Sequence, residues 1–186
     1  MIPTFTNLRS QASYRKFALR NWPPIPGGKE KSIRISATMD NGCLVLEPDI
    51  AGDGMFVYYV SQDATYGFAD AGVNWACSGP YSGCKFQVGR ADLRIYASHI
   101  AREGGVDYSD KLIQYLPEAY PALDYTTGMG DTSIDTAQKL SATQVSKYLF
   151  AWWAGNFNTF SVTEITIYGN NMDSGRIMKV AEVDVN

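Results

Sequence analysis

Residues Val145–Gly169 read VSKYLFAWWAGNFNTFSVTEITIYG. This is the densest apolar and aromatic run of the chain, and it divides into two strands joined at Gly155–Asn158. Successive side chains of a strand point to opposite faces. Tyr148, Phe150 and Trp152 therefore share one face of the first strand, and Leu149, Ala151 and Trp153 share the other. The second strand offers Phe160, Val162, Ile165 and Ile167, with Ser161, Thr163, Thr166 and Tyr168 between them. The step from Val162 to Ile165 breaks strict alternation and predicts a bulge near Thr163–Glu164. Two adjacent strands this apolar need a covering layer, which predicts the centre of a packed sandwich.

Short period-two segments recur upstream. Ser32–Ala37 alternates Ile33 and Ile35 inward. Asn41-Gly42 signals a hairpin turn, and Cys43–Glu47 follows with Leu44 and Leu46. Met55–Val60 is apolar on both faces and hence central. Residues 61–83 form a long surface excursion carrying Tyr66, Phe68, Trp75 and Tyr81, with short strands near Val73–Ala76. Lys85–Val88 and Asp92–Ser98 pair around Gly89-Arg90, with Leu93 and Ile95 supplying the alternation. Asp110–Leu116 reads equally as a helical turn or a short strand. Arg176–Val185 closes the chain. About eight short strands punctuated by turns predict a mainly β fold, a single β-sandwich of jelly-roll type.

The N-terminal part reads differently. Residues 1–9 look extended, and Ser10 or Ser13 caps a short helix through Arg20 with Tyr14, Phe17 and Ala18 on one face. Trp22-Pro23-Pro24-Ile25-Pro26-Gly27-Gly28 is a stiff, then released, linker. The predicted organisation is an arm over 1–21, a linker over 22–28 and a sandwich over 29–186. Residues 1–38 hold seven basic residues and one acidic; the rest hold nine basic and eighteen acidic. That split suits a basic arm docking on the acidic body of a neighbouring copy, through Arg9, Tyr14, Arg15, Lys16, Phe17, Arg20 and Trp22. An ordinary solvated terminus and a nucleic-acid contact are the alternatives. The excess charges are dispersed and few for phosphate binding, which argues against nucleic acid.

Composition narrows the chemistry. The 186 residues are 45% apolar and 19% charged, with 17 Gly, 12 Tyr and 8 Phe, as a β-rich, turn-rich chain would be. No apolar run is long enough for a membrane span, and the N-terminus lacks a signal-peptide core; assembly within a virion is one location this leaves open. Three cysteines make no disulfide framework. Cys77 and Cys84 bracket a tight turn and either close a disulfide or stay as two small buried thiols, the latter favoured without a targeting signal. The one histidine, His99, has no nucleophile elbow or local thiol-enzyme signature near it. It reads as a strand-end histidine with a satisfied hydrogen bond, so no catalytic residue is assigned. One histidine and scattered cysteines are a poor zinc set. Asp49 with Asp53, and Asp131 with Asp135, could lend oxygens to Ca²⁺, but solvated loop carboxylates are the default. No metal or cofactor is expected, and no nucleotide-binding glycine motif occurs. The aromatics Trp75, Tyr81, Tyr66 and Trp153 are the candidate ligand-binding set, as stacking faces for a glycan. Trp152 and Trp153 point to opposite faces, so at most one is easily buried in the core.

Ser161-Val162-Thr163-Glu164-Ile165-Thr166-Ile167-Tyr168-Gly169 resembles the closing strand of galactose-binding-like, discoidin-type β-sandwich domains. There a serine, a glutamate and alternating aliphatics precede Tyr-Gly. The match covers nine residues and carries over no ligand residue, and the chain continues for another strand beyond it. The resemblance implies a sandwich that binds glycans, lipids or proteins. At the level of class, the arm, the proline linker and the low-charge body resemble small virion proteins of phages: capsid, decoration or tail modules. The expected function is a non-catalytic structural or adhesive protein that self-assembles, with neighbouring subunits of its own kind as partners. A carbohydrate-binding module is the alternative, and a Cys/His-dependent enzyme the third reading.

Overall fold

The computed structural model describes residues 3–10, 16–127, 145–154, 157, 159–168 and 175–183. The chain starts with α1 (Phe5–Ser10) and β1 (Lys16–Leu19). β2 (Ser32–Asp40) and β3 (Cys43–Pro48) form a hairpin, followed by β4 (Gly54–Val57), β5 (Ala64–Phe68) and β6 (Trp75–Tyr81). β7 (Lys85–Ala91) and β8 (Arg94–Ile100) form a second hairpin. A small ribbon of β9 (Arg102–Glu103) and β10 (Val106–Asp107) leads into α2 (Ser109–Tyr115) and β11 (Tyr120–Thr126). β12 (Val145–Ala154), β13 (Thr159–Tyr168) and β14 (Gly175–Val183) complete the chain.

Eight strands close into a barrel in the order β1-β14-β13-β12-β6-β4-β2-β3, and a separate four-stranded sheet runs β11-β7-β8-β5. The expected jelly-roll sandwich is therefore wrong. The reason lies in Lys16–Leu19, which the sequence pattern made helical. These four residues run parallel to β3, from Lys16↔Cys43 to Leu19↔Leu46, and meet β14 at Lys16↔Arg176 and Phe17↔Gly175. That one short strand joins both edges of the sheet, and closure removes the edges that a sandwich would leave.

The basic N-terminal segment lies against its own body. Phe17 and Leu19 are buried in the barrel, and Leu8 of α1 reaches the same core. Arg20 pairs with Asp40 at 2.9 Å. Trp22 packs edge-on against Phe56, with ring centroids 4.7 Å apart, and the Tyr58 hydroxyl donates to the Pro23 carbonyl at 3.0 Å. The proline stretch thus lies along the barrel wall. Tyr14 and Arg15 are outside the described residues.

Three cores stack in series. Ile35, Leu44, Leu46, Phe56, Trp75, Tyr148, Phe150, Ile165 and Ile167 fill the barrel. Met55, Val57, Leu149, Ala151, Trp153 and Val162 face outward from its wall and meet Phe86, Val88 and Ala97 of the side sheet. The opposite face of that sheet, with Tyr66, Tyr96 and Ile100, is covered by Leu112 and Leu116 from α2 and the turn after it. The barrel wall is therefore buried on both sides, which is why β12 is apolar on both faces from Tyr148 to Ala154.

The same layering explains β13. Its ladder to β12 runs without interruption from Val145↔Tyr168 to Ala154↔Thr159, so the bulge expected at Thr163–Glu164 is absent. Val162 points out into the side-sheet core, and Ile165 and Ile167 point into the barrel. One strand serving two cores breaks the apparent alternation without breaking the pleat. The irregularity falls instead at the β13–β14 pairing, where Thr166↔Lys179 is followed by Ile167↔Ile177 and Met178 is the extra residue.

Candidate functional site

The polar cluster nearest to a chemical site lies between the barrel wall and the side sheet. On the wall, Ala76 and Ser78 of β6 face outward while Trp75 and Cys77 face in. On the side sheet, Phe86 and His99 are cross-strand partners of β7 and β8. Closing the two layers brings Ser78 Oγ within 2.9 Å of His99 Nδ1 and 2.6 Å of the Val57 carbonyl oxygen. The Tyr81 ring stacks on the imidazole at 4.0 Å and 15°, and Tyr59 tilts against it at 5.0 Å.

The proton count fixes the roles. A carbonyl oxygen can only accept, so the single hydroxyl proton of Ser78 goes to Val57. His99 Nδ1 must then carry hydrogen and donate to Ser78, leaving Nε2 as a bare acceptor. Among the described residues, Nε2 has no hydrogen-bond partner. In this arrangement His99 is not a base for Ser78, because the serine proton points away from it. Burial drives the imidazole pKa down to about 3, so the ring is neutral at ordinary pH. His99 is 1% exposed, sealed between the barrel wall and the side sheet.

The rim of the cluster is wetter. The Tyr59 hydroxyl donates to Glu103, and Ser61 Oγ donates to its other oxygen at 2.8 Å. These donors hold the Glu103 carboxyl below its usual range. An open cleft of about 550 Å³ adjoins, lined by Gly83, Arg102, Gly104, Val106 and Thr127. Its one cation, Arg102, lies 3.5 Å from Asp107. Among the described residues lining it, the side-chain hydroxyls are those of Thr126 and Thr127, and Thr127 Oγ1 accepts from the Gly83 amide and donates to the Cys84 carbonyl.

The residues singled out from the sequence do not come together. Trp75 is fully buried in the barrel, with its indole nitrogen donating to Asp53 Oδ1 at 2.8 Å. Tyr81 and Trp153 lie in the core under the side sheet, and Tyr66 lies in the core against α2. These four occupy three different cores, and none offers a free ring face for a sugar. They are strand residues of β5, β6 and β12, whereas the sequence placed three of them in a surface excursion. Trp152 is half-buried against the barrel core. Of the arm residues, Lys16 and Arg20 are exposed, Phe17 is buried and Trp22 is half-buried; Arg9 falls in α1.

The cysteines and carboxylates are equally separate. Cys43, Cys77 and Cys84 are all free. Cys77 faces the barrel interior and Cys84 the outer core, and burial raises both thiol pKa values. Asp49 accepts the Ala51 amide at 2.9 Å, and Asp53 holds the Trp75 indole. Asp131 and Asp135 are outside the described residues. Among the described residues no three His, Cys, Asp or Glu side chains group to hold a metal ion, and no helix is long and apolar enough to cross a membrane.

What sequence reasoning missed is on the surface. The β7–β8 turn is Asp92-Leu93, three residues beyond the expected Gly89-Arg90. Both turn residues have positive φ, 48° and 64°, the hairpin geometry that usually takes Asn-Gly. Leu93 is 93% exposed there. Ile50 is 94% exposed on the turn after β3, and Tyr120 and Ile113 stand out beside α2 and β11. Between α2, the turn after it and β11 runs a groove of about 270 Å³, with Gln87 at its floor and Leu112, Ile113, Leu116, Pro117 and Pro121 around it. At one end Lys85 Nζ is held by Ser109 Oγ at 3.0 Å and by Asp124 at 3.3 Å.

No protein-family model matches this chain, and no curated protein is similar to it in sequence. The likeness of Ser161–Gly169 to discoidin-type domains therefore rests on those nine residues alone. Ser161–Tyr168 form most of β13, which sits inside a barrel rather than at the close of a sandwich.

Proposed function

We propose that this chain is a non-catalytic structural protein whose barrel body assembles with further copies of itself, in the manner of virion shell or tail components. The observation that carries this reading is Leu93. A bulky residue at φ 64° is strained, and at 93% exposure it gains nothing from its own fold. A broken local rule without a compensating contact in the monomer suits a contact made outside it. Ile50, Ile113 and Tyr120 add large apolar side chains held outward on ordered elements. The basic segment supports the reading less than the sequence suggested, since its apolar residues are used at home. A glycan-binding role loses its stacking faces, and the sealed Ser78–His99 pair gives little to an enzymatic one. Electron microscopy of the concentrated full chain tests the proposal. Ordered multi-subunit particles or strands support it; dispersed single copies oppose it.

A further inference from the structure

We infer that residues 59–62 form a strap over the buried imidazole of His99, latched by the Glu103 carboxylate, and that releasing the latch opens the sealed layer to small solutes. This device is independent of the assembly reading above. The strap is the stretch between β4 and β5, and both its ends are fixed. At one end the Tyr58 amide donates to the Lys31 carbonyl at 3.0 Å, and the Tyr58 hydroxyl to Pro23. At the other the Asp63 carbonyl accepts the Ala101 amide at 3.0 Å, and the Asp63 carboxylate accepts the Tyr115 hydroxyl at 3.0 Å.

Between those anchors three donors converge on one carboxylate. The Tyr59 hydroxyl and the Gln62 amide, the latter at 3.4 Å, donate to Glu103 Oε1, and Ser61 Oγ donates to Oε2 at 2.8 Å. Glu103 stands on the short β9–β10 ribbon, whose turn is Gly104-Gly105. Its neighbour Arg102 is engaged with Asp107 at 3.5 Å, which leaves the carboxylate to the strap. Hydrogen bonds to an ionised acceptor are the strong ones, so this half-buried side chain holds the closed form. The closed form is also strained. Gln62 sits at φ 56°, a region that a residue with a side chain seldom adopts.

What the strap covers is an acceptor in want of a donor. The Tyr59 ring lies on the imidazole at 5.0 Å. Ser78 and Tyr81, which also touch that ring, are fully buried, whereas Tyr59 is half-buried. The way in therefore runs past Tyr59, on the side where Arg102 and Gly104, next to Glu103 in sequence, line the open cleft. Nε2 has no partner among the described residues, and a buried acceptor left unpaired is costly. Lifting Tyr59 lets a small hydrogen-bond donor, water first, reach that lone pair.

His99 is the only histidine of the chain, so carbethoxylation by diethylpyrocarbonate, mapped to that residue by peptide mass spectrometry, reads the opening in the full chain. The imidazole lone pair attacks a carbonyl carbon of the reagent. Ethyl carbonate leaves, takes the ring proton and breaks down to carbon dioxide and ethanol. The wild type should react slowly, at a rate that barely changes with urea below the unfolding transition, because lifting four residues exposes little surface. Glu103→Ala should react at least about 10-fold faster, the loss of one or more charge-assisted hydrogen bonds, with the same flat urea dependence. A wild-type rate that climbs with urea as steeply as global unfolding overturns the strap, since His99 is then reached only when the whole fold opens. Glu103→Ala reacting at the wild-type rate overturns the latch. If Glu103→Ala does not fold, the wild-type urea series decides alone.

Discussion

Ser78 Oγ accepts a hydrogen bond from His99 Nδ1 at 2.9 Å and donates its own proton to Val57. The pair ties the side sheet to the barrel wall, and it holds a neutral imidazole in a sealed layer. Folding lowers the His99 pKa from 6.5 to about 3 by burial. Between those values the unfolded chain binds a proton that the folded chain refuses. Stability therefore rises with pH across this window and falls as pH drops below about 6.5, by up to ~1.4 kcal/mol per pH unit from this group. His99→Asn keeps a donor near the Nδ1 position and cannot titrate. Urea denaturation from pH 7 to pH 4.5 should show the variant less stable at pH 7 but with a flatter slope. Glu103, held below its usual range by Tyr59 and Ser61, contributes its loss at lower pH. A wild-type slope in the variant would assign the acid sensitivity elsewhere.

Lys147 and Glu164 form a buried ion pair on the outer face of the barrel wall, 3.0 Å apart, with the Tyr125 hydroxyl donating to the second carboxylate oxygen at 3.3 Å. Lys147→Met alone strands the carboxylate and should cost about 3–5 kcal/mol. Replacing both, with Lys147→Met and Glu164→Leu, should recover most of that loss, because an apolar pair suits a layer already lined by Leu149 and Val162. If the double variant is no better than the single, the pair is doing more than neutralising itself.

Gly54 lies under the Trp75 indole, and a Cβ at Gly54 would collide with that ring. Trp75 is fully buried and anchored to Asp53, so it cannot swing aside. Gly54→Ala should lower stability by about 1–3 kcal/mol by overpacking. A neutral result would mean that the ring moves freely, contrary to its place in the barrel core.

Some of this fold was legible in the sequence because the responsible signals are local. Asn41-Gly42 marked the β2–β3 hairpin, and both residues do take positive φ, 48° and 76°. The β12–β13 pair and its two faces were readable from aromatic spacing. Closure was not, because Lys16–Leu19 pairs in parallel with β3, a contact distant in sequence that no short pattern announces. β5 was hidden because it is buried almost throughout and so shows no alternation. Without β5 and β11 the side sheet could not be inferred, and apolar residues on both faces of the wall looked like the two faces of a sandwich. The surface tip was missed for a related reason: Leu93 fitted an alternating pattern, and Asp-Leu is not the turn chemistry that signals positive φ. His99 hydrogen-bonds through Nδ1, while Nε2 has no partner among the described residues. Its partner Ser78 lay in a run that looked like a turn and is in fact part of β6.

The solution mass of the full chain by light scattering, over a concentration series at low and high salt, tests self-assembly most directly. A contact centred on the aliphatic Leu93 should give a mass that rises with concentration and changes little with salt. A mass fixed at that of one chain under every condition would contradict it.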